Sequence, residues 1–280
     1  MFLDIGSGLT FEPVATAGLR SWHRPQRYEW LDRVGALPIA DTELLNLAHH
    51  CPIAIHADGG PPTVVCLLRS ELLRASRVGR DGRWQLPYHP LALRTLPFRA
   101  RNVAGERVVE VSRELAANAA GGEPVAMFTA TGEPTRDYAT LLSLLDVMTR
   151  GRERLADAAR LLIAADIVVP LEGVAGDNGL MVVSSELLFQ LSGARAAALA
   201  ADGCMPFDLA AACLFSQRWL AEGVIGQRRR PVDIETVPVE RESVLDHGLR
   251  GGLDQPLTLD DSALFSFEAF VAAGGPDERS

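Results

Sequence analysis

The chain has 280 residues, of which 48% are hydrophobic and 22% charged, a balance that is typical of a globular protein with its own core. All 27 basic residues are arginine, because the sequence contains no lysine, and this excludes Schiff-base chemistry and lysine-dependent phosphate loops. The net charge of −9 argues against a nucleic-acid-binding protein, which needs a basic surface to neutralise phosphates.

The sequence shows no signal for export or for membrane insertion. The first residues, 1–6, lack the basic region and apolar stretch of a secretory signal, and no apolar run approaches the ~20 residues of a membrane-spanning helix. The four cysteines, Cys51, Cys66, Cys204 and Cys213, show no Cys-x-x-Cys spacing, so we expect reduced thiols that serve mainly in packing. The sequence therefore predicts a soluble, cytoplasmic protein without a membrane span.

The first two predicted segments are an arm and a helix. Residues 1–21 are interrupted by Gly and Pro and show no sustained period, so they predict a loosely structured N-terminal arm. Trp22 and the aromatic residues after it are expected to hold the end of this arm against the core. From Pro38 to Ala48, an acidic start at Asp41 precedes an apolar face, and this pattern predicts a helix.

Short apolar runs separated by turn signals predict an antiparallel sheet in the first half of the chain. Residues 52–56 and 63–68 flank Asp58-Gly59-Gly60, which favours a hairpin because these residue types tolerate positive φ. Further short strands are predicted at residues 98–103, 107–111 and 125–128. The Leu- and Arg-rich segment at residues 69–78 is compatible with a helix instead.

Helices dominate the second half of the chain. Apolar residues recur at three- and four-residue spacing from Thr135 to Ala165, which predicts one long helix or two helices that break at Gly151. A hairpin at 167–171 and 180–183 and an amphipathic helix from 206 to 222 are expected to follow. Together these elements predict one α+β domain, in which an antiparallel sheet from the N-terminal half is packed with helices from the C-terminal half.

The last part of the chain, residues 226–280, is predicted to be a C-terminal extension, because the hydrophobic pattern typical of helices and strands weakens there. It contains one short aromatic segment, made of Leu264, Phe265, Phe267, Phe270 and Val271. Two interpretations stay open. The segment docks on the parent domain, or it is a terminal motif that enters a groove of another protein.

The stretch from Gly79 to Phe98 concentrates the residues most suited to ligand contact. It brings a turn, Asp81 to Arg83, close to a Trp, a Tyr and a His among prolines. Aromatic faces, a hydroxyl and an imidazole could form a pocket for a planar ligand. The candidate ligand-binding residues are Asp81, Arg83, Trp84, Tyr88 and His89. In the alternative interpretation, the aromatic and Pro residues only fix a crossing from sheet to loop, with His89 at the surface.

Signals for metal binding and catalysis are weaker. One patch is rich in possible ligands, namely His49, His50, Cys51, His56 and Cys66. Adjacent His side chains on a helix point about 100° apart and cannot share a metal easily, whereas His56 and Cys66 could be neighbours across the predicted hairpin. We predict ordinary histidines and buried cysteines here, without a metal or other cofactor. No Gly-x-Ser-x-Gly elbow and no dinucleotide-binding glycine motif is present.

Over roughly residues 20–225, the sequence resembles the SapC family of bacterial proteins. The matching motifs are Leu37-Pro38, Cys51-Pro52-Ile53, Asp81-Gly82-Arg83-Trp84, Leu86-Pro87-Tyr88-His89-Pro90 and Leu96-Pro97-Phe98. The resemblance implies a SapC-like domain at residues 22–225, in a family that has no agreed biochemical activity. It also implies gene neighbours of three kinds, which are TonB-dependent receptors, cupin-like or oxygenase-like proteins, and tryptophan-halogenase-like flavoproteins.

Two functions are compatible with these observations. The first is a non-catalytic accessory or binding protein that acts with a bacterial surface-uptake or amino-acid-modifying system of halogenase or oxygenase type. Its expected partners are the halogenase-like, cupin-like or oxygenase-like proteins of a TonB-receptor-linked system. The alternative is a small-molecule or metal-dependent enzyme with its site around Trp84, Tyr88 and His89. We favour the first, because no catalytic constellation is apparent in the sequence.

Overall fold

The described part of the chain combines short antiparallel strands with one long helix. In the computed structural model, the described residues are 9–103, 105–117, 123–172, 179–201 and 203–225, with the main chain alone at 32 and 33. All of them belong to the first of two compact units into which the chain divides, Met1–Arg229 and Arg230–Ser280. The aromatic segment predicted at residues 264–271 lies outside the described residues.

The elements are short, apart from α6. The strands are β1 (Glu12–Pro13), β2 (Ser21–Trp22), β3 (Ala36–Pro38), β4 (Ile53–His56), β5 (Thr63–Leu67), β6 (Phe98–Val103), β7 (Glu106–Val111), β8 (Val125–Ala126), β9 (Val168–Pro170) and β10 (Leu180–Val183). The α-helices are α1 (Val14–Ala17), α2 (Leu31–Val34), α3 (Leu44–Ala48), α4 (Leu91–Arg94), α5 (Arg113–Ala116), α6 (Arg136–Ala164), α7 (Ser185–Phe189), α8 (Gly193–Ala200) and α9 (Met205–Ser216).

The largest sheet has five antiparallel strands in the order β3-β5-β4-β10-β9. The predicted hairpins β4–β5 and β9–β10 are both confirmed, and so is the α+β fold. The sheet takes β9 and β10 from the second half of the chain. Val64 and Cys66 of β5 face the cluster that includes α6 and α9, whereas Val65 and Leu67 face a second cluster on the opposite side. Both faces of this sheet are therefore buried.

The segment after residue 9 is tied to the domain by two very short strands. β1 pairs with β7 in a three-stranded sheet of order β1-β7-β6, and β2 pairs with β8. Trp22 of β2 is 1% exposed and lies 5.4 Å from the ring of Phe98 and 6.0 Å from that of Tyr138. Residues within the predicted arm thus pair with strands in the structure. Strands of two residues are too short to show the alternation from which a strand is predicted.

The long helix α6 is continuous, so the alternative of one long helix is confirmed and the possible break at Gly151 is absent. Thr135 caps the helix, because its Oγ1 accepts a hydrogen bond from Tyr138 N. The role of Gly151 is close packing. A Cβ there would lie 2.5 Å from Asp41 Oδ1 and 2.8 Å from Ala40 Cβ. The absent side chain allows the helix main chain to approach the turn that follows β3.

Three other helix predictions need correction. In the segment Pro38–Ala48, Pro38 belongs to β3, Asp41–Glu43 forms a 3-10 turn, and only Leu44–Ala48 is α-helical. The helix compatible with residues 69–78 is absent, since that segment contains a single 3-10 turn at Ser70–Leu72. α9 ends at Ser216, six residues before the predicted end, and is followed by a 3-10 turn at Gln217–Trp219.

Ser216 explains how α9 is fixed to the sheet. Its Oγ accepts a hydrogen bond from Ile53 N of β4 at 2.9 Å and donates one to Cys213 O at 2.9 Å. Leu209 and Cys213, the inward residues of α9, are fully buried. Within the described ranges, no single helix is long and apolar enough to span a membrane.

We expect Gly151→Ala to lower the free energy of unfolding by about 1–3 kcal/mol, because the new methyl group overpacks the contact with Ala40 and Asp41. In an open helix position, the same change normally stabilises a protein by about 0.5–1 kcal/mol. Urea unfolding of both proteins measures the difference. Gly193→Ala in α8 is the matched control, since no atom lies within 4 Å of its added Cβ. A Gly151→Ala protein as stable as the wild type would contradict this packing argument.

Candidate ligand-binding site

The segment from Trp84 to His89 is held in place by the indole of Trp84. Trp84 pairs with Val78 across the turn, and its Nε1 donates a hydrogen bond to Tyr88 O at 2.8 Å. Trp84 is 9% exposed, and its ring centroid lies 5.9 Å from that of His89. The structure therefore brings Trp84 and His89 together, but only His89 lines the cavity described below.

His89 contacts Tyr28, which the sequence predicted only as an anchor of the arm. His89 Nε2 and Tyr28 Oη are 3.3 Å apart, and the ring centroids are 5.6 Å apart. The Tyr28 hydroxyl donates to Pro25 O at 2.9 Å, which leaves its oxygen to accept from an Nε2–H tautomer of His89. Burial, and then the nearby Arg94, lower the pKa of His89. The imidazole is accordingly neutral at physiological pH.

A cavity of about 320 Å³ opens beside His89, a volume within the range of small-molecule sites. Its polar side chains come from three segments of the chain, and they are Arg24, Tyr28, His89, Arg94, Asp137 and Thr140. Its apolar wall consists of Trp22, Pro25, Leu93, Leu96, Leu141 and Leu144. Arg24 Nη2 and Asp137 Oδ1 form an ion pair at 3.0 Å. We call this space the His89 cavity.

Tyr88 points towards a buried acid instead of lining the His89 cavity. Its hydroxyl hydrogen-bonds with the side chain of Arg94, and burial and then the charge of Glu43 raise the pKa of Tyr88. Glu43 is 0% exposed and accepts a hydrogen bond from Leu91 N at 3.2 Å. Burial raises the pKa of Glu43 to about 7. The sequence analysis did not predict that Glu43 is buried. The only indication in the sequence is that this acid directly precedes the apolar residue Leu44.

Asp81 and Arg83 shape the preceding turn. Asp81 Oδ1 accepts a hydrogen bond from Arg83 N at 3.1 Å, and both side chains are mostly exposed. Gly82 O accepts a hydrogen bond from Tyr28 N at 2.7 Å, so the turn supports the segment that carries Tyr28. Neither Asp81 nor Arg83 is among the residues that line the His89 cavity.

A second cleft, of about 330 Å³, lies between the β4–β5 turn, β6 and α6. Its charged and titratable lining residues are His56, Asp58, Arg101, Arg152 and Glu153. Burial lowers the pKa of Arg152 to about 9, and the charge of Glu153 opposes this effect. Its acidic and basic groups largely balance one another. The cleft therefore has no strong preference for ligands of one charge.

The patch that the sequence singled out for metal ligands does not converge. In β4 and β5, His56 lies opposite Thr63 and Cys66 opposite Ile53, so the expected neighbourhood of His56 and Cys66 is wrong. The buried thiols of Cys51 and Cys66 instead hydrogen-bond to each other, which lowers the pKa of Cys51 and raises that of Cys66. No group of three or more His, Cys, Asp or Glu side chains suited to a metal ion occurs among the described residues.

Glu43 makes stability depend on pH. Its pKa is about 7 in the folded protein and about 4.3 in the unfolded chain, so the folded state binds the proton more tightly. The stabilisation is complete below the unfolded pKa and is lost as the pH rises through about 7, by about 4 kcal/mol at most. We expect Glu43→Gln to flatten this decline in urea unfolding at a series of pH values. An unchanged decline in the variant would contradict the assignment to Glu43.

Comparison with known proteins gives one match. The family model for SapC matches residues 17–222, which is more than half of the chain. No curated protein and no solved structure matches. The motifs around Trp84 and His89 lie inside the matched range, as do the residues that line the His89 cavity. The chain belongs to the SapC family.

Proposed function

We propose that this SapC-family protein is a non-catalytic binding protein, which holds a small carboxylate with a planar or apolar body in the His89 cavity. One observation carries the proposal. Two guanidinium groups and one carboxylate line the polar part of a cavity whose remaining wall is apolar. A ligand with a charged head and an apolar body would satisfy both parts at once.

The charges of the cavity favour an anion. Arg24 is neutralised by Asp137, whereas Arg94 contributes a charge that no acid in the lining balances. Glu43 lies near Arg94 but does not line the cavity, and its raised pKa of about 7 leaves it partly protonated near neutral pH, so it offsets the charge of Arg94 only in part. Guanidinium binds carboxylate through paired hydrogen bonds of fixed geometry. Arg94 is therefore the group that would hold the carboxylate.

The polar contacts in the cavity support a holding role. The hydrogen bond of His89 goes to Tyr28, and the hydroxyl of Tyr28 is in turn directed to a main-chain carbonyl group. A general base needs a nucleophile or a substrate proton within reach, and the lining contains no Ser or Cys beside His89. These groups are arranged to position each other and to close one side of the cavity.

We also propose the setting in which the protein acts. As an accessory protein, it would be cytoplasmic and would work with a halogenase-like, cupin-like or oxygenase-like enzyme of a TonB-receptor-linked system. The support is the SapC family membership and the resemblance described above. A cavity for a small carboxylate suits a protein that passes a substrate to such an enzyme or withholds it.

One observation favours an enzyme as a second candidate. Glu43 has a pKa of about 7, which is suited to a general acid or base at neutral pH, and it lies close to Tyr88 and Arg94. The binding function is preferred because Glu43 does not line the His89 cavity. Conversion of a bound carboxylate by the wild type, but not by Glu43→Gln, would favour the enzyme.

Calorimetric titration with indole-3-acetate tests the binding function, with indole-3-acetamide as its uncharged counterpart. We expect the carboxylate to bind and the amide to bind at least about tenfold more weakly, since one charged hydrogen-bonded contact is lost. Arg94→Met should weaken carboxylate binding by a similar factor. Arg160→Met is the matched control, because Arg160 pairs with Asp157 away from the cavity. Equal binding of both compounds, or no binding of either, would overturn the proposal.

A further inference from the structure

Two apolar side chains face solvent on α3 and α9, two helices that pack against each other and that carry a His and an Arg nearby. Leu45 of α3 is 66% exposed and Phe215 of α9 is 42% exposed. His49, one helical turn after Leu45, packs edge-on against Phe215 with ring centroids 4.9 Å apart. Arg218 follows Phe215 on the same side of the molecule. We call these four residues, Leu45, His49, Phe215 and Arg218, the α3–α9 patch.

Arg218 lies flat on the aromatic rings of this surface. Its guanidinium carbon is 3.8 Å from the ring centroid of Phe215 and 5.0 Å from that of Trp219. Its Nη2 also donates a hydrogen bond to His49 O at 3.4 Å. Among the residues that the structure describes, no carboxylate forms an ion pair with Arg218. Its position is fixed by stacking, while its charge stays available to another molecule.

A second arginine beneath the patch strengthens its positive potential. Arg77 is 6% exposed and lies 5.0 Å from the ring centroid of Trp219. Its Nε and Nη2 have no hydrogen-bond partner in the described ranges. The Arg77 side chain hydrogen-bonds to the thiol of Cys51, and because it is buried its charge is poorly screened by solvent. The effect is visible at His50, whose pKa is lowered by burial and then by the charges of His49, Arg77 and Arg218.

The sign of the patch is opposite to that of the chain. The protein as a whole carries a net charge of −9. Within α9 the acid is Asp208, which precedes Phe215 by seven residues, or about 10 Å along the helix, and the exposed Glu222 follows Arg218 by four residues beyond the 3-10 turn. A local cationic surface with exposed apolar side chains favours a partner that brings carboxylates and apolar groups together.

We infer that the α3–α9 patch is the docking surface for an acidic segment of a partner protein that also carries Leu or Phe side chains. The inference rests on the accessory role proposed above, and it adds the place and the chemistry of the contact. Carboxylates of the segment would pair with Arg218, and its apolar side chains would cover Leu45 and Phe215. Such a central aromatic–arginine pair is the composition found in strongly contributing parts of protein interfaces.

The test uses the purified full-length protein and two fluorescein-labelled peptides. One is a repeat of Asp-Leu-Phe-Glu, and the other is the uncharged repeat Asn-Leu-Phe-Gln. By fluorescence anisotropy, we expect the acidic peptide to bind at least about tenfold more tightly than the uncharged one, and to lose affinity as the salt concentration rises. Equal binding of the two peptides, or no binding of the acidic one, would overturn the inference.

Variants locate the contact. Arg218→Gln and Phe215→Ser should each weaken binding of the acidic peptide by about tenfold, because both contacts lie at the centre of the patch. Phe189→Ser is the matched control: Phe189 is 86% exposed, and the acid Glu186 lies on the same helix. An equal loss in Phe189→Ser would show binding to any exposed apolar side chain and would refute the assignment. Tighter binding of a single-stranded oligothymidine would assign the surface to nucleic acid instead.

The two proposals fail separately. The α3–α9 patch shares no residue with the His89 cavity, and its variants leave all the cavity residues in place. Circular dichroism and urea unfolding show, without any ligand, that Arg218→Gln and Phe215→Ser are folded, and titration with indole-3-acetate should give the wild-type result whatever that result is. Loss of peptide binding by the folded variants supports the docking surface, whereas unchanged peptide binding overturns it.

Discussion

The approach of α6 to the turn after β3 is the contact on which the rest of the described structure depends. At Gly151 the helix main chain comes within packing distance of Ala40 and Asp41, and Arg154 then pairs with Asp41. The first half of α6 packs in the cluster around Trp22, and its second half packs on the five-stranded sheet. One rigid helix therefore sets the separation of two hydrophobic clusters, and α9 packs against the same helix.

The buried charged groups differ in how they respond to burial. Glu43 can take up a proton, so the cost of its burial appears as a raised pKa and as a pH-dependent stability. Arg77 is 6% exposed, and its Nε and Nη2 have no hydrogen-bond partner among the described residues, so the cost of its burial is only partly offset by its contacts with Cys51 and Trp219. Both groups lie beside aromatic side chains, Tyr88 and Trp219, which shield them from water. The buried acid thus makes stability depend on pH, whereas the buried base adds positive charge beneath the α3–α9 patch.

Local patterns predicted much of the fold, but contacts between distant segments could not be predicted. The hairpins β4–β5 and β9–β10 and the extent of α6 follow from period and turn residues. The contact between Trp84 and His89 could also be predicted, because the two residues are close in sequence. Tyr28, Arg94 and Asp137 reach the same cavity from three different elements, and no spacing rule connects them. Similarly, a glycine within a helical pattern is compatible with a helix break. Only the contacts of Gly151 with distant residues show that it serves close packing instead.

The walls of the His89 cavity belong to two hydrophobic clusters, the one around Trp22 and the one between the large sheet and α6. Trp22 and Leu141 come from the cluster of the small sheets, whereas Leu93 and Leu96 come from the cluster of the large sheet. The width of the cavity therefore depends on the gap between two cores that α6 connects. Repacking around Phe98 or Met127, which line neither wall, would therefore change the width of the cavity while every lining residue stayed the same. Under the binding function proposed above, residues that do not touch the ligand would then set the size of the ligand.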